Sequence, residues 1–220
     1  MSTPAVSDLS AAWRDLAGSS PEAEALGADL LERWAEPHRR YHTPDHLRAV
    51  LAAIDELAGL APDISAVRYA AWFHDAVYAG QPGDDEQRSA QLAEEALPRC
   101  GLSAERVTEV ARLVRLTATH RPAADDPDGR VLCDADLAVL AGAPREYLAY
   151  TTAVREEYAH VGDPEFRRAR AAVLRALLEA PQLFHTPIGR ARWEDRARVN
   201  ARAELLRLEK SASGSASPQP

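Results

Sequence analysis

Residues 70–78 read Ala70-Ala71-Trp72-Phe73-His74-Asp75-Ala76-Val77-Tyr78, an otherwise apolar run that carries one histidine and one aspartate side by side. Burying a polar group without a partner costs about 2–7 kcal/mol, and an uncompensated charge costs more. Something specific must therefore sit against this pair, and a divalent cation satisfies an imidazole and a carboxylate together. Val67, Ala70, Ala71, His74, Val77 and Tyr78 fall on one i, i+3, i+4 stripe, which predicts a helix over about 64–78 with His74 near its centre and Asp75 on the flank.

The flanking sequence sets the class. The chain has 220 residues, of which 46 % are hydrophobic, enough for a continuous core. Ala, Leu, Arg and Glu recur in most windows and β-branched alternation is nearly absent, so the expected class is all-α. One helical domain is expected over 1–210, followed by a Ser/Ala/Pro-rich disordered tail at 211–220. A formal net charge of −8 excludes a nucleic-acid polymer as the expected partner, because phosphate-rich surfaces need a basic face, whereas a small phosphorylated ligand needs only one cationic pocket. Cys100 and Cys133 are isolated thiols suited to a reducing cytoplasm. No signal peptide and no run of about 18 apolar residues is present, so a soluble cytoplasmic protein away from membranes is expected. No sequence feature sets an oligomeric state.

Before the central run, residues 1–7 read as loose, followed by a short helical stripe through Leu9, Trp13 and Leu16. Ser20-Pro21-Glu22 starts a second helix, ending near Pro37. The turn His38-Arg39-Arg40-Tyr41-His42 is dense in groups that bind anions or metals. Thr43 and Pro44 then cap and start a third helix, which puts His46 in its first turn, turned inward and biased to the neutral, metal-binding form by the helix dipole. His42 lies outside that helix and is the weaker ligand candidate.

After the central run, Gly80 to Asp85 makes a turn and Glu86 opens the next helix. Ser103 caps a helix with Val107, Val110, Leu113 and Val114 inward, and His120 follows at its end. Arg121 to Arg130 reads as a surface loop. In Val131 to Leu140, Asp134 and Asp136 lie about 200° apart around a helix axis, so only one can face the core. Asp136 shares the apolar face, and Asp134 is placed to cap the helix start or to support a ligand histidine. The last third predicts three long helices, two of them with Arg155 on the flank of Tyr147, Val154 and Tyr158 and with Arg170 among Phe166, Val173, Leu174 and Leu177. Asp163-Pro164 caps and starts the second of these. The third places Asn200 and Glu204 in line with Trp193 and Leu208.

His46, His74-Asp75 and Asp136, in this order on an all-helical chain, resemble the His/Asp-dyad (HD) superfamily of metal-dependent phosphohydrolases. Arg40-Tyr41-His42 with His46, Trp72-Phe73-His74-Asp75 with Val77-Tyr78, Glu86 with Arg88-Ser89-Ala90, Asp134-Ala135-Asp136-Leu137, Val154 to Tyr158 and Ala197 to Asn200 are similar to a subgroup described as predicted metal-dependent HD phosphohydrolases. The resemblance implies that His46, His74, Asp75 and Asp136 ligate one divalent metal, of the kinds Mn²⁺, Mg²⁺, Co²⁺, Ni²⁺ or Fe²⁺, and that the metal activates water against phosphorus in a small phosphate ester or nucleotide. His74, Asp75, Glu86 and His120 are the candidate catalytic residues. Arg155, Arg170 and Asn200 are the candidate substrate contacts, as guanidinium forks suit phosphate. Relatives with two metals carry two further histidines between the dyad and the last aspartate. Here Asp85 occupies the first position and only His120 matches the second.

Plainer roles compete at several of these positions. Glu86 suits a first-turn dipole role and His120 a helix-end cation. Arg155 and Arg170 suit salt bridges to buried acids, while Asn200 and Glu204 suit tethers for the last helix. A sensor that binds metal and nucleotide without turnover is the alternative to an enzyme.

Overall fold

The computed structural model of the protein describes residues 4–213, with side chains described for 9–210. Among the described residues there are ten α-helices and no strand. The chain divides into two compact units, 1–136 and 137–220. No helix among the described residues is long and apolar enough to cross a membrane.

The first unit is built on α1 (Pro4–Ala17), α2 (Pro21–Trp34), α3 (Pro44–Leu57), α4 (Ile64–Phe73), α5 (Asp84–Ala96), α6 (Ala104–Leu116) and most of α7 (Pro127–Leu137). Ser20 and Ser103 cap α2 and α6 through their hydroxyls, which accept from Ala23 N at 3.1 Å and Arg106 N at 3.4 Å. The Thr43 hydroxyl makes no such cap bond for α3 and instead donates to Tyr41 O. At the centre lies α4, where Ala66, Val67 and all of Tyr69 to Phe73 are buried, so the helix is enclosed around its circumference rather than along one stripe.

Three expectations for this unit change. Residues 1–7 read as loose, yet helical backbone begins at Pro4; residues 1–3 lie outside the described residues. The central helix ends at Phe73 instead of running to residue 78, and His74 occupies its C-cap. The stretch read as a loop to Arg130 is helical from Pro127. There Asp126 precedes proline at the first helical position, and its Oδ1 accepts from Gly129 N at 2.9 Å. A Cβ on Gly129 would lie 2.2 Å from Asp126 Oδ2 and 2.6 Å from Leu116, so this capped start requires glycine.

The second unit contains α8 (Pro144–Glu157), α9 (Asp163–Glu179) and α10 (Pro187–Ser213). Its core is Leu140, Ala141, Tyr147, Leu183, Phe184 and Ala197, with Trp193 packed against it. Ala171 and Leu174 are the buried residues of α9, whereas Val173, expected inward, is 50 % exposed. Gly162, not Asp163, occupies the cap position of α9, because Asp163 accepts from Arg155 instead. Helix α10 extends three residues into the segment expected to be disordered, and 214–220 lie outside the described residues.

Candidate metal centre

The end of α4 builds the centre. A helix leaves its last carbonyls without intrahelical donors, and here each finds another partner. The last regular helical bond runs from His74 N to Ala70 O at 2.8 Å, and beyond it Ala71 O pairs with His74 Nδ1 at 2.8 Å. Trp72 O accepts from the Trp34 indole at 3.0 Å, and Phe73 O accepts from Ala76 N at 2.9 Å. The bond to Ala71 O keeps the His74 Nδ1 proton in place and leaves Nε2 as the lone-pair nitrogen, the tautomer a metal ligand needs. Because the helix stops here, Asp75 leaves the helical wheel and turns back beside His74.

Three side chains converge. His46 Nε2 and His74 Nε2 are 3.3 Å apart, and Asp136 Oδ1 lies 3.1 Å from the first and 3.5 Å from the second. Ligand atoms bound at about 2.0–2.2 Å lie roughly 3 Å apart at right angles and about 3.4 Å apart at tetrahedral angles. The observed separations match these spacings, so His46, His74 and Asp136 fit one ion. They form the close metal-type group of the described residues. Asp75 stands at its edge, with Oδ2 3.1 Å from His74 Nε2 and 3.9 Å from His46 Nε2. Trp34 packs on both imidazoles, its ring centroid 5.4 Å from that of His74 and 6.1 Å from that of His46.

The charges are strongly coupled. Burial disfavours imidazolium at His74, but Asp75 and Asp136 overcome it and hold its pKa well above the usual histidine value. Burial dominates at His46, and Asp136 only partly offsets it, so its pKa is lowered. Burial opposes ionisation of Asp136 and Asp75, yet the His74 charge and the histidine hydrogen bonds keep both carboxyls below the usual carboxylate range. The group therefore sets one histidine that favours positive charge, His74, against two carboxylates that favour ionisation. That balance of charge suits a cation among the same atoms.

His120 bonds through Nε2 to the other oxygen of Asp136, Oδ2, at 2.8 Å. It is the one non-glycine with positive φ among the described residues, at 51°. Histidine tolerates this left-handed conformation better than bulky or branched residues do. Asp134 is wholly buried in the middle of α7 and so does not cap it. Val131 to Ala135 are all buried, so opposite faces of α7 both meet protein and both acids point inward.

The remaining sequence candidates have other partners. Glu86 Oε2 accepts from Gly83 N at 2.5 Å in the first turn of α5. Asp85, at the position of the first extra histidine, accepts through Oδ2 from Ala79 N at 2.9 Å and Gln81 N at 2.8 Å, fixing the loop after the dyad; its Oδ1 is buried and makes no hydrogen bond. Arg155 closes the end of α8 by donating to Tyr158 O, Val161 O and Asp163. Arg170 grips Glu204 at 2.7 and 3.0 Å, and the Tyr147 hydroxyl donates to the same carboxylate at 2.5 Å. Asn200 donates to Leu140 O and Gly142 O. These three substrate candidates thus serve as internal ties of the second unit.

The sequence places Arg39 among the anion- or metal-binding groups of the 38–42 turn, but the structure uses it as an internal tie. Its side chain is completely buried, and its five N–H bonds go to Glu36 Oε2 twice, His42 O, Asp75 O and Ala76 O, at 2.7–3.3 Å. The guanidinium also packs over the Trp34 and Tyr78 rings. It joins the 36–42 turn, which carries the approach to His46, to the 75–76 turn behind the dyad. The one local signal was Glu36 at the i−3 spacing of a salt bridge.

Compared with known protein families, with curated proteins and with solved structures, the chain matches none.

Proposed function

We propose that the protein is a metal-dependent phosphohydrolase acting on a small phosphate ester or nucleotide, with His46, His74 and Asp136 holding one divalent ion and Asp75 adding a carboxylate beside it. The observation that supports this reading best is the convergence of two Nε2 atoms and one carboxylate oxygen within 3.5 Å, with the His74 tautomer already set. The donor set of imidazole and carboxylate suits Mn²⁺, Co²⁺, Ni²⁺, Fe²⁺ or Mg²⁺. A divalent ion held there supplies Lewis acidity toward a phosphoryl oxygen and a lowered pKa for water. The Ala71 carbonyl fixes the His74 ring, and Trp34 packs against both imidazoles. His120 Nε2 pairs with Asp136 Oδ2 at 2.8 Å and, at 24 % side-chain exposure, stands on the more open side of the group, where it is suited to meet a bound ester.

A second reading is a sensor that keeps the pocket without turnover. It is favoured by Asp85 and Glu86, whose carboxylates are engaged with backbone and leave one close ligand group among the described residues. A panel of nucleotides and small phosphate esters with added Mn²⁺, Co²⁺ or Mg²⁺ separates the two. Release of phosphate that disappears in His74→Ala supports the hydrolase, whereas binding of panel members without release supports the sensor.

A further inference from the structure

The two oxygens of Asp136 have separate tasks. Oδ1 lies 3.1 Å from His46 Nε2 and 3.5 Å from His74 Nε2, whereas Oδ2 lies 2.8 Å from His120 Nε2. An aspartate carboxylate turns about a broad, roughly two-fold torsion, so nothing in its own side chain decides which oxygen faces the imidazoles. A partner on one oxygen decides it. A carboxylate that ligates an ion only accepts hydrogen bonds, so in a loaded centre His120 Nε2 is the donor to Oδ2.

The backbone is built to bring that ring there. After α6 ends at Leu116, the Leu116 carbonyl accepts from Thr119 N at 3.1 Å and from His120 N at 3.0 Å, and His120 takes a φ of 51°. Glycine ordinarily closes a helix end in this left-handed conformation, because it has no Cβ to crowd the next carbonyl. The chain follows that rule at the end of α1, where Gly18 has φ 82° and its N–H bonds to Arg14 O at 2.9 Å. At residue 120 the same backbone closure needs no side chain, yet an imidazole stands there and reaches Asp136. A residue held in a sparsely used conformation while its side chain enters a polar cluster points to a role for that side chain.

We infer that His120 is the positioning residue of Asp136: its hold on Oδ2 turns Oδ1 toward His46 and His74 and keeps Oδ2 from joining Oδ1 on an ion. This rests on the metal reading of the centre. It adds that Asp136 presents a single oxygen, which leaves a coordination position for water or a phosphoryl oxygen. A catalytic ion needs such an open position, whereas a structural ion is closed off by its protein ligands.

The test titrates the full chain, stripped of metal, with Co²⁺. Affinity is read by competition with a chromophoric chelator, and coordination by the visible absorption of the bound ion, which weakens as the coordination number rises. His120→Gly suits the left-handed backbone and removes the ring. It should bind Co²⁺ about 10- to 100-fold more weakly, the usual effect of losing a group that orients a ligand. At saturation it should also absorb more weakly, as the released Oδ2 joins the ion. His120→Gln returns an N–H near the Nε2 position and should recover most of the affinity and the wild-type absorption. Wild-type affinity and absorption in His120→Gly overturn the assignment. Weaker binding with an unchanged spectrum in both variants overturns it as well, since that is the mark of a merely structural role. Complete loss of binding in both makes His120 a ligand and also overturns it. If wild type takes up no Co²⁺, the metal reading itself fails and takes this assignment with it.

Discussion

Replacing Arg39 by methionine keeps the length and apolar body of the side chain and removes all five of its hydrogen bonds. Three carbonyls lose a donor, those of His42, Asp75 and Ala76, and Glu36 loses its buried ion-pair partner. An unsatisfied buried acceptor costs about 1–3 kcal/mol, and stripping one partner from a buried ion pair costs about 3–5 kcal/mol. These figures overlap, because Glu36 is 39 % exposed and can rehydrate. The expected loss for Arg39→Met is therefore about 3–5 kcal/mol rather than the sum. Arg39→Lys keeps the charge but cannot span carbonyls on two turns, so it should recover only part. The assay is urea unfolding of chelated protein followed by tryptophan fluorescence, since Trp13, Trp34 and Trp72 all lie in the first unit. A loss below about 1 kcal/mol for Arg39→Met would refute the idea that this guanidinium holds the two turns together.

Protonation of the metal-free centre should give a bell-shaped stability profile. The unfolded histidines titrate near 6.5. As pH rises from there toward the raised His74 value, the folded state keeps a proton that the unfolded state has lost, so stability falls. As pH drops below 6.5, unfolded His46 binds a proton that folded His46 refuses, so stability falls again. Asp136 and Asp75 add stability that is fully present above the unfolded carboxylate value of about 4 and fades only as pH falls toward their depressed values. Thermal melts of chelated protein should peak near pH 6.5, and a monotonic rise to pH 9 would contradict the assignment. In the second unit, Glu204→Leu leaves the Arg170 charge without its partner and should cost about 3–5 kcal/mol, while adding Arg170→Leu should return part of that loss. A double variant no more stable than Glu204→Leu alone would show that the pair is not coupled.

The helical class and the inward direction of His46, His74 and Asp136 were legible because each follows from a period of 3.6 against an apolar background. Where the reading failed, a second helix-independent partner decided the outcome. The stripe through Val77 and Tyr78 looked helical, but Trp34 and Arg39, distant in sequence, take the carbonyls that a continued helix would have used or covered. Asp126-Pro127 is a readable helix start hidden in a stretch of turn-forming residues. Asp134 and Asp136 were forced to opposite fates by assuming one buried face, and α7 has more than one. Arg155, Arg170 and Asn200 could be placed inward by pattern, but their acceptors, Asp163, Glu204 and the Leu140 and Gly142 carbonyls, could not be read from spacing alone.

The central claim is that His46, His74 and Asp136 form one cation site. Metal analysis of purified protein after dialysis against Mn²⁺ or Co²⁺ tests it most directly. One ion per chain is expected in wild type, with near-complete loss in His74→Ala and Asp136→Ala and retention in Arg170→Lys. A full equivalent of metal retained by either His74→Ala or Asp136→Ala would contradict the account.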